Sequence, residues 1–202
     1  MKIGLFGGTF DPIHFGHILP VKEARAQLGL DRVIYLPTAI PPHKPGGQVA
    51  PPHARWTMVE KALLGEPGFV ADPFELTPHR EAFTVDSVEH FRTTLPNTDL
   101  YLIIGCDSFA ELHTWERWQD LVSMVKLAVL VRPDWRPGAL DAQLTPDVAA
   151  LIGTDKVCFV ANQPVSVSAT DLRRLLAEGA RPPEGWLPGL VLEYIRKYDL
   201  YR

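Results

Sequence analysis

The chain has 202 residues, 46% of them hydrophobic, and a formal net charge of −4 from 24 acidic against 20 basic side chains. That length allows one α/β domain with a sizeable core, spanning residues 1–202. The charge excludes a general basic field of the kind that sequence-independent nucleic-acid binding uses, so an anionic ligand has to be held locally.

Lys2–Phe6 is short, apolar and followed by Gly7-Gly8, which predicts a strand and a tight turn. Ile18, Leu19, Val21, Ala24 and Leu28 recur at helical spacing up to Gly29. Arg32–Leu36 predicts a second buried strand, and the prolines and glycines from Pro37 to Pro52 predict a long loop. Trp56, Val59, Ala62 and Leu63 mark a short helix, and Thr84 is placed to cap a helix carrying Val85, Val88, Phe91 and Leu95. Leu100–Ile104, Leu127–Val131 and Val157–Val160 are apolar throughout, as strands buried on both faces are. Pro133 to Pro146 predicts a surface excursion, and helices are expected around Thr170–Glu178 and Leu190–Tyr198.

Strands alternating with helices predict a single doubly wound, Rossmann-like α/β domain with a mainly parallel sheet. In such sheets ligands bind beyond the carboxyl ends of the strands. Cys106 and Cys158 show no CxxC or Cys/His spacing, which argues against a disulfide framework and a zinc site. No apolar run reaches the length of a membrane span. A cytoplasmic protein without nucleic-acid or membrane partners is the expectation, and the oligomeric state is not readable.

Phosphate chemistry is suggested by Gly7–His17. Gly7 and Gly8 permit close approach of the backbone to a ligand, with amides facing phosphate oxygens at the following helix N-terminus. The spacing is neither G-x-G-x-x-G nor that of a P-loop. His14 and His17, three apart at the helix start, fall on one side of it, and Gly16 between them leaves room for a phosphate. Two other readings of the pair stand beside this one. The first is a cap and a packed core histidine. The second is a metal pair, which lacks a visible third ligand and the Glu of H-E-x-x-H.

The segment GGTFDPIHFGH resembles the H-x-G-H signature of the nucleotidyltransferase superfamily, and Val167–Arg173 is similar to its I-S-[ST]-T-x-[IL]-R partner. Pro41-Pro42-His43-Lys44, Ile103–Ser108, His113-Thr114-Trp115 and the ending Tyr194–Arg202 resemble the bacterial nicotinate mononucleotide adenylyltransferases in particular. The resemblance spans nearly the whole chain. It implies a Rossmann-like fold and transfer of the adenylyl group of ATP to nicotinate mononucleotide, giving nicotinate adenine dinucleotide and pyrophosphate in NAD biosynthesis.

By that resemblance His14, His17, Lys44 and Arg173 are the catalytic groups, with His17 nearest the reacting centre. Gly7, Gly8, Thr9, Phe10, Gly105, Asp107, Ser168 and Thr170 face ATP, the glycine and aspartate after the strand Leu100–Ile104 meeting the ribose. The same resemblance sets Trp115 against the mononucleotide as a flat surface for the nicotinate ring. From their own positions, Thr84 at a predicted helix start suits the nicotinate carboxylate, and Arg132 after a strand suits the mononucleotide phosphate or a surface salt bridge. Mg²⁺ is expected with the ATP phosphates, and no dedicated protein metal site is expected. A phosphate monoester has a second pKa of about 6 and arrives largely as a dianion, so direct in-line attack needs neither a general base nor a covalent enzyme intermediate. The histidines then serve position and charge. Two departures are visible: Thr38-Ala39-Ile40 stands where related sequences often carry asparagine, and Arg174 follows Arg173 without a spacer. The alternatives are an adenylyltransferase preferring nicotinamide mononucleotide and a nucleotide-sensing module without turnover.

Overall fold

The computed structural model describes residues 1–39, 50–76, 83–131, 143–163 and 165–202. Among the described residues six strands make one parallel sheet: β1 (Lys2–Gly8), β2 (Arg32–Pro37), β3 (Phe69–Ala71), β4 (Asp99–Gly105), β5 (Lys126–Val131) and β6 (Val157–Ala161). Their order is β3-β2-β1-β4-β5-β6. The order reverses between β1 and β4, which is the winding of a doubly wound dinucleotide-type sheet. The α/β expectation therefore holds. The helices are α1 (Phe15–Leu28), α2 (Pro52–Leu63), α3 (Thr84–Thr94), α4 (Cys106–Ala110), α5 (Trp118–Met124), α6 (Pro146–Ala149), α7 (Ala169–Ala177) and α8 (Gly189–Lys197). None of the described helices is long and apolar enough to cross a membrane.

The chain packs as two compact units, one of Met1–Phe6, Pro20–Ile34 and Phe83–Pro164, the other of Gly7–Leu19, Tyr35–Ala82 and Val165–Arg202. In the first unit β1 pairs with β4 so that Ile3 faces Leu100 and Leu5 faces Leu102, and β4 pairs with β5 so that Leu102 faces Leu127. These residues are buried, which is why the strands read as continuous apolar runs. Gly4 is a packing glycine: a Cβ there would stand 2.9 Å from the Cδ1 atoms of Ile103 and Leu30. At the surface Arg117 pairs with Glu89 at 2.9 Å and Asp86 at 3.4 Å, joining α5 to α3. Exposed pairs of this kind fix geometry more than they stabilise.

In the second unit α2 packs on α8. Met58 and Val59 are fully buried, as is Val191, and Lys61 lies 5.8 Å over the Tyr194 ring. Arg55 stands among them with no exposed surface.

Several expectations shift by a few residues. The first strand continues through Gly8 and the turn comes later. The helix expected to be capped by Thr84 has Phe83 as its cap residue, so Thr84 is its first residue. The strand β3 and the short helices α4, α5 and α6 carry too few residues for a hydrophobic period to show. Most of the excursion expected from Pro133 to Pro146 lies outside the described residues, and α6 begins at Pro146.

Candidate active site

The segment after β1 turns at Phe10, not at the glycines. Phe10 holds φ at 48°, a left-handed conformation uncommon for a residue with a side chain, while Gly7 and Gly8 remain extended within the strand. Gly8 is needed for a different reason. A Cβ there would lie 2.9 Å from the Phe10 ring, which folds back over it and is itself buried. Gly7 is exposed, and among the described residues the nearest atom to its missing Cβ is Glu75 Oε1 at 3.9 Å. The Asp11–Pro12 peptide is cis.

His14 and His17 flank the start of α1 with their rings stacked, centroids 3.8 Å apart and planes at 26°. The Phe10 ring meets His17 edge-on at 5.3 Å. His17 Nδ1 accepts the main-chain N–H of His14 at 3.3 Å, which places the proton of the neutral imidazole on Nε2 and makes that nitrogen a donor. The Tyr35 hydroxyl donates to the His17 carbonyl at 3.2 Å, and burial holds its pKa far above the ordinary phenol value, so it remains a donor. His14 is 5% exposed. Burial lowers its pKa to about 4, and its Nδ1 has no hydrogen-bond partner among the described residues. It is a neutral imidazole at physiological pH.

The space expected for phosphate at Gly16 is used by the protein. A Cβ there would stand 2.9 Å from Cε1 and Nδ1 of His14 and 3.1 Å from Val167 Cγ1. The helix amides are also partly engaged, since Phe15 N donates to Trp186 O at 3.0 Å and His17 N to His14 O at 2.8 Å.

Ser168 caps α7. Its Oγ accepts the Asp171 N–H at 3.1 Å and donates to Asp171 Oδ2 at 2.7 Å. That bond, ahead of Arg174, holds the Asp171 carboxyl below its ordinary pKa. Arg173, one turn on, donates from Nη2 to Thr170 Oγ1 at 3.3 Å and from Nη1 to the main-chain oxygen of Asp11 at 2.7 Å. The two motifs are thereby joined in one place. Arg174 points elsewhere, exposed, near Asp171 at 3.5 Å and Glu178 at 3.9 Å.

Asp11 and Arg55 hold this arrangement together. Asp11 Oδ1 accepts from Ala50 N at 3.0 Å and from the Tyr201 hydroxyl at 2.7 Å. Arg55 donates to three carbonyls, those of Ala50 at 3.0 Å, Thr9 at 2.6 Å and Ala39 at 2.8 Å. Burial pulls its pKa below the ordinary guanidinium value, and Asp11 opposes that. Three bonds to a buried cation offset a desolvation cost that a lone guanidinium would not survive. The motifs along the chain give no role to Asp11, Arg55, Tyr35 or Tyr201. A signal exists for Arg55, which falls on the helical face of Met58, Val59 and Ala62, where an apolar residue belongs.

Gly105, Asp107, Trp115 and Thr84 belong to the first unit. Gly105 ends β4 and precedes α4, whose first turn carries the exposed Asp107. Trp115 is half-buried and extended, directly after a 3-10 turn of Leu112–Thr114. Thr84 is half-buried at the first turn of α3. Lys44 and Arg132 lie outside the described residues. Among the described residues no group of three His, Cys, Asp or Glu is disposed to hold a metal ion.

Residues 5–175 match the cytidylyltransferase-like family model. A protein of Aeromonas salmonicida named "probable nicotinate-nucleotide adenylyltransferase" is 40% identical over 209 residues, covering 99% of this chain and 97% of its own. One of Pseudomonas aeruginosa strain UCBPP-PA14 with the same name is 40% identical over 210 residues, covering 100% and 97%. The nicotinic acid mononucleotide adenylyltransferase of Plasmodium falciparum, solved in complex with NaAD, superposes with a TM-score of 0.76 at 18% identity, covering 99% of this chain and 97% of that one. The fold is thus shared well beyond the range of evident sequence similarity. Family model, full-length relatives and fold agree that the chain belongs to the cytidylyltransferase-like family of nucleotidyltransferases, alongside the relatives named nicotinate-nucleotide adenylyltransferase.

Proposed function

We propose that the protein transfers the adenylyl group of ATP to nicotinate mononucleotide, forming nicotinate adenine dinucleotide and releasing pyrophosphate. The observation that supports this reading is the bond from Arg173 to the Asp11 carbonyl, which brings two motifs 162 residues apart in the chain into contact. Relatives covering the whole chain carry the same activity in their names.

The chemistry follows from the substrates. The mononucleotide phosphate is largely a dianion at neutral pH and attacks the α-phosphorus of ATP without a general base. A P–O bond forms to the acceptor as the bond to pyrophosphate breaks, and the released electron pair stays on pyrophosphate. No enzyme nucleophile is involved. The enzyme offsets the mutual repulsion of the anions and holds them in line. His17 Nε2–H is suited to donate to an α-phosphate oxygen as charge shifts in the transition state. His14, neutral, supports the stacked geometry and offers its own ring proton. Arg173 is assigned the fixed positive charge at the β- and γ-phosphates, and Lys44 keeps the triphosphate role that the sequence resemblance gives it. Ser168 and Thr170 have their hydroxyls turned to Asp171 and Arg173, so their proposed part in ATP binding lies in the start of α7 and the aim of Arg173.

In the first unit, Gly105 and Asp107 are assigned to the adenosine ribose. Trp115, Thr84 and Arg132 are assigned to the mononucleotide. A carboxylate after a strand end suits hydroxyl recognition, and a half-buried indole suits stacking on a pyridine ring. Mg²⁺ is assigned to the triphosphate as part of the substrate, on the chemistry of ATP.

The test is pyrophosphate release from Mg-ATP with nicotinate mononucleotide, nicotinamide mononucleotide and phosphopantetheine in parallel. Nicotinate mononucleotide is expected to turn over fastest. Faster reaction with the nicotinamide compound would reassign the acceptor, and binding of ATP without pyrophosphate from any acceptor would make the protein a sensor.

A further inference from the structure

Asp11 and Tyr201 are 190 residues apart in the chain and joined by a 2.7 Å hydrogen bond from the phenol to Oδ1. The same oxygen accepts the Ala50 N–H at 3.0 Å, and Oδ2 lies 3.7 Å from Nη1 of Arg173. The carboxylate is 5% exposed, so these groups, not water, set its orientation. Tyr201 reaches it from a left-handed backbone at φ 70°, a conformation disfavoured for a bulky side chain. The helix before it does not need this anchor. Val191 and Ile195 of α8 are 0% and 2% exposed, and α8 packs on α2.

We infer that Tyr201 is a positioning residue for adenylyl transfer, acting through Asp11 to keep Arg173 aimed at the triphosphate; this rests on the function proposed above. Phenol and amide together pin Oδ1, which prevents the carboxylate from rotating to face the guanidinium with both oxygens. Donation from the phenol also draws charge density from the carboxylate. Without the hydroxyl, Asp11 is held by one bond, turns towards Arg173 and neutralises the charge that ATP needs. Burial beside the anion keeps the phenol protonated, with its pKa far above the ordinary value, so this control is constant across physiological pH.

The experiment is a double-mutant cycle on kcat/KM for ATP, read by pyrophosphate release, with thermal unfolding of every variant. Tyr201→Phe removes the hydroxyl and keeps the ring; it is expected to lower kcat/KM about tenfold with an unfolding midpoint within a few degrees of wild type. Arg173→Ala is expected to cost about a hundredfold, and the double variant to be no more than about twofold slower than Arg173→Ala alone. A chain ending at Leu200 loses the same hydroxyl by a second route and enters the same cycle. Losses that multiply in the double variant, or a Tyr201→Phe rate within twofold of wild type, would overturn the inference. The same cycle read as ATP affinity by calorimetry needs no turnover and expects the same non-additivity. A wild-type protein that binds ATP but releases no pyrophosphate would therefore sink the proposed function without deciding the role of Tyr201.

Discussion

His14 and His17 face each other ring to ring at 3.8 Å, and the main-chain N–H of the first is received by Nδ1 of the second. One histidine thus fixes both the place and the tautomer of the other. If His17 Nε2–H donates to the reacting phosphate, His17→Ala lowers kcat by about a hundredfold or more, as loss of a transition-state donor does, while ATP affinity changes by less than about tenfold. Single-turnover kinetics and calorimetry on the same protein separate the two. A loss of affinity with the rate preserved would assign His17 to ground-state binding instead.

The buried state of His14 sets a pH dependence of stability. Its pKa falls from the ordinary 6.5 to about 4 on burial, so between those values the unfolded chain binds a proton that the folded one does not. The stability is complete above pH 6.5 and declines as pH falls towards 4, by roughly 3 kcal/mol if this group acts alone. Urea unfolding at pH 7 and pH 4.5 measures the decline. His14→Gln should flatten it, and an unchanged slope would show that other groups govern acid stability.

Gly16→Ala tests the close packing around this pair. The added methyl must displace the His14 ring or Val167, from contacts of 2.9 and 3.1 Å. Overpacking of this kind costs about 1–3 kcal/mol. The expected result is a lower unfolding midpoint together with a fall in kcat beyond tenfold, because the His14 ring supports His17. Normal kcat in the folded variant would show that the stacked geometry is dispensable.

Arg55→Met should be among the most destabilising single changes in the second unit. It removes donors from the carbonyls of Thr9, Ala39 and Ala50 and leaves the buried Asp11 carboxylate with less compensating charge. Removing one member of such a buried arrangement costs about 3–5 kcal/mol. Denaturant unfolding measures it directly. A cost below about 1 kcal/mol would mean that a hydrophobic side chain fills the site as well as the guanidinium does.

Much of the α/β organisation is legible in the amino-acid sequence. The runs Leu100–Ile104 and Leu127–Val131 are apolar at every position because parallel strands covered on both faces leave no place for water, and both are strands of the sheet. Phe69–Ala71 leaves no such trace, being three residues long. The motif around His14 and His17 is visible as spacing, since two side chains three apart at a helix start share a side by local geometry alone. The glycines suggest a turn that belongs instead to Phe10, because a glycine shows only what is permitted, and here close packing against the Phe10 ring requires it.

The alternation of strands and helices and the residue types able to meet phosphate are local or periodic properties, and both can be read along the chain. How those residues are held depends on contacts between distant parts of the chain. Asp11 draws on Ala50, Arg173 and Tyr201, at separations of 39, 162 and 190 residues, and Arg55 ties three carbonyls from separate segments. Such bonds follow from chain closure and burial, where each buried polar group must find a partner, and they leave no periodic signature along the chain.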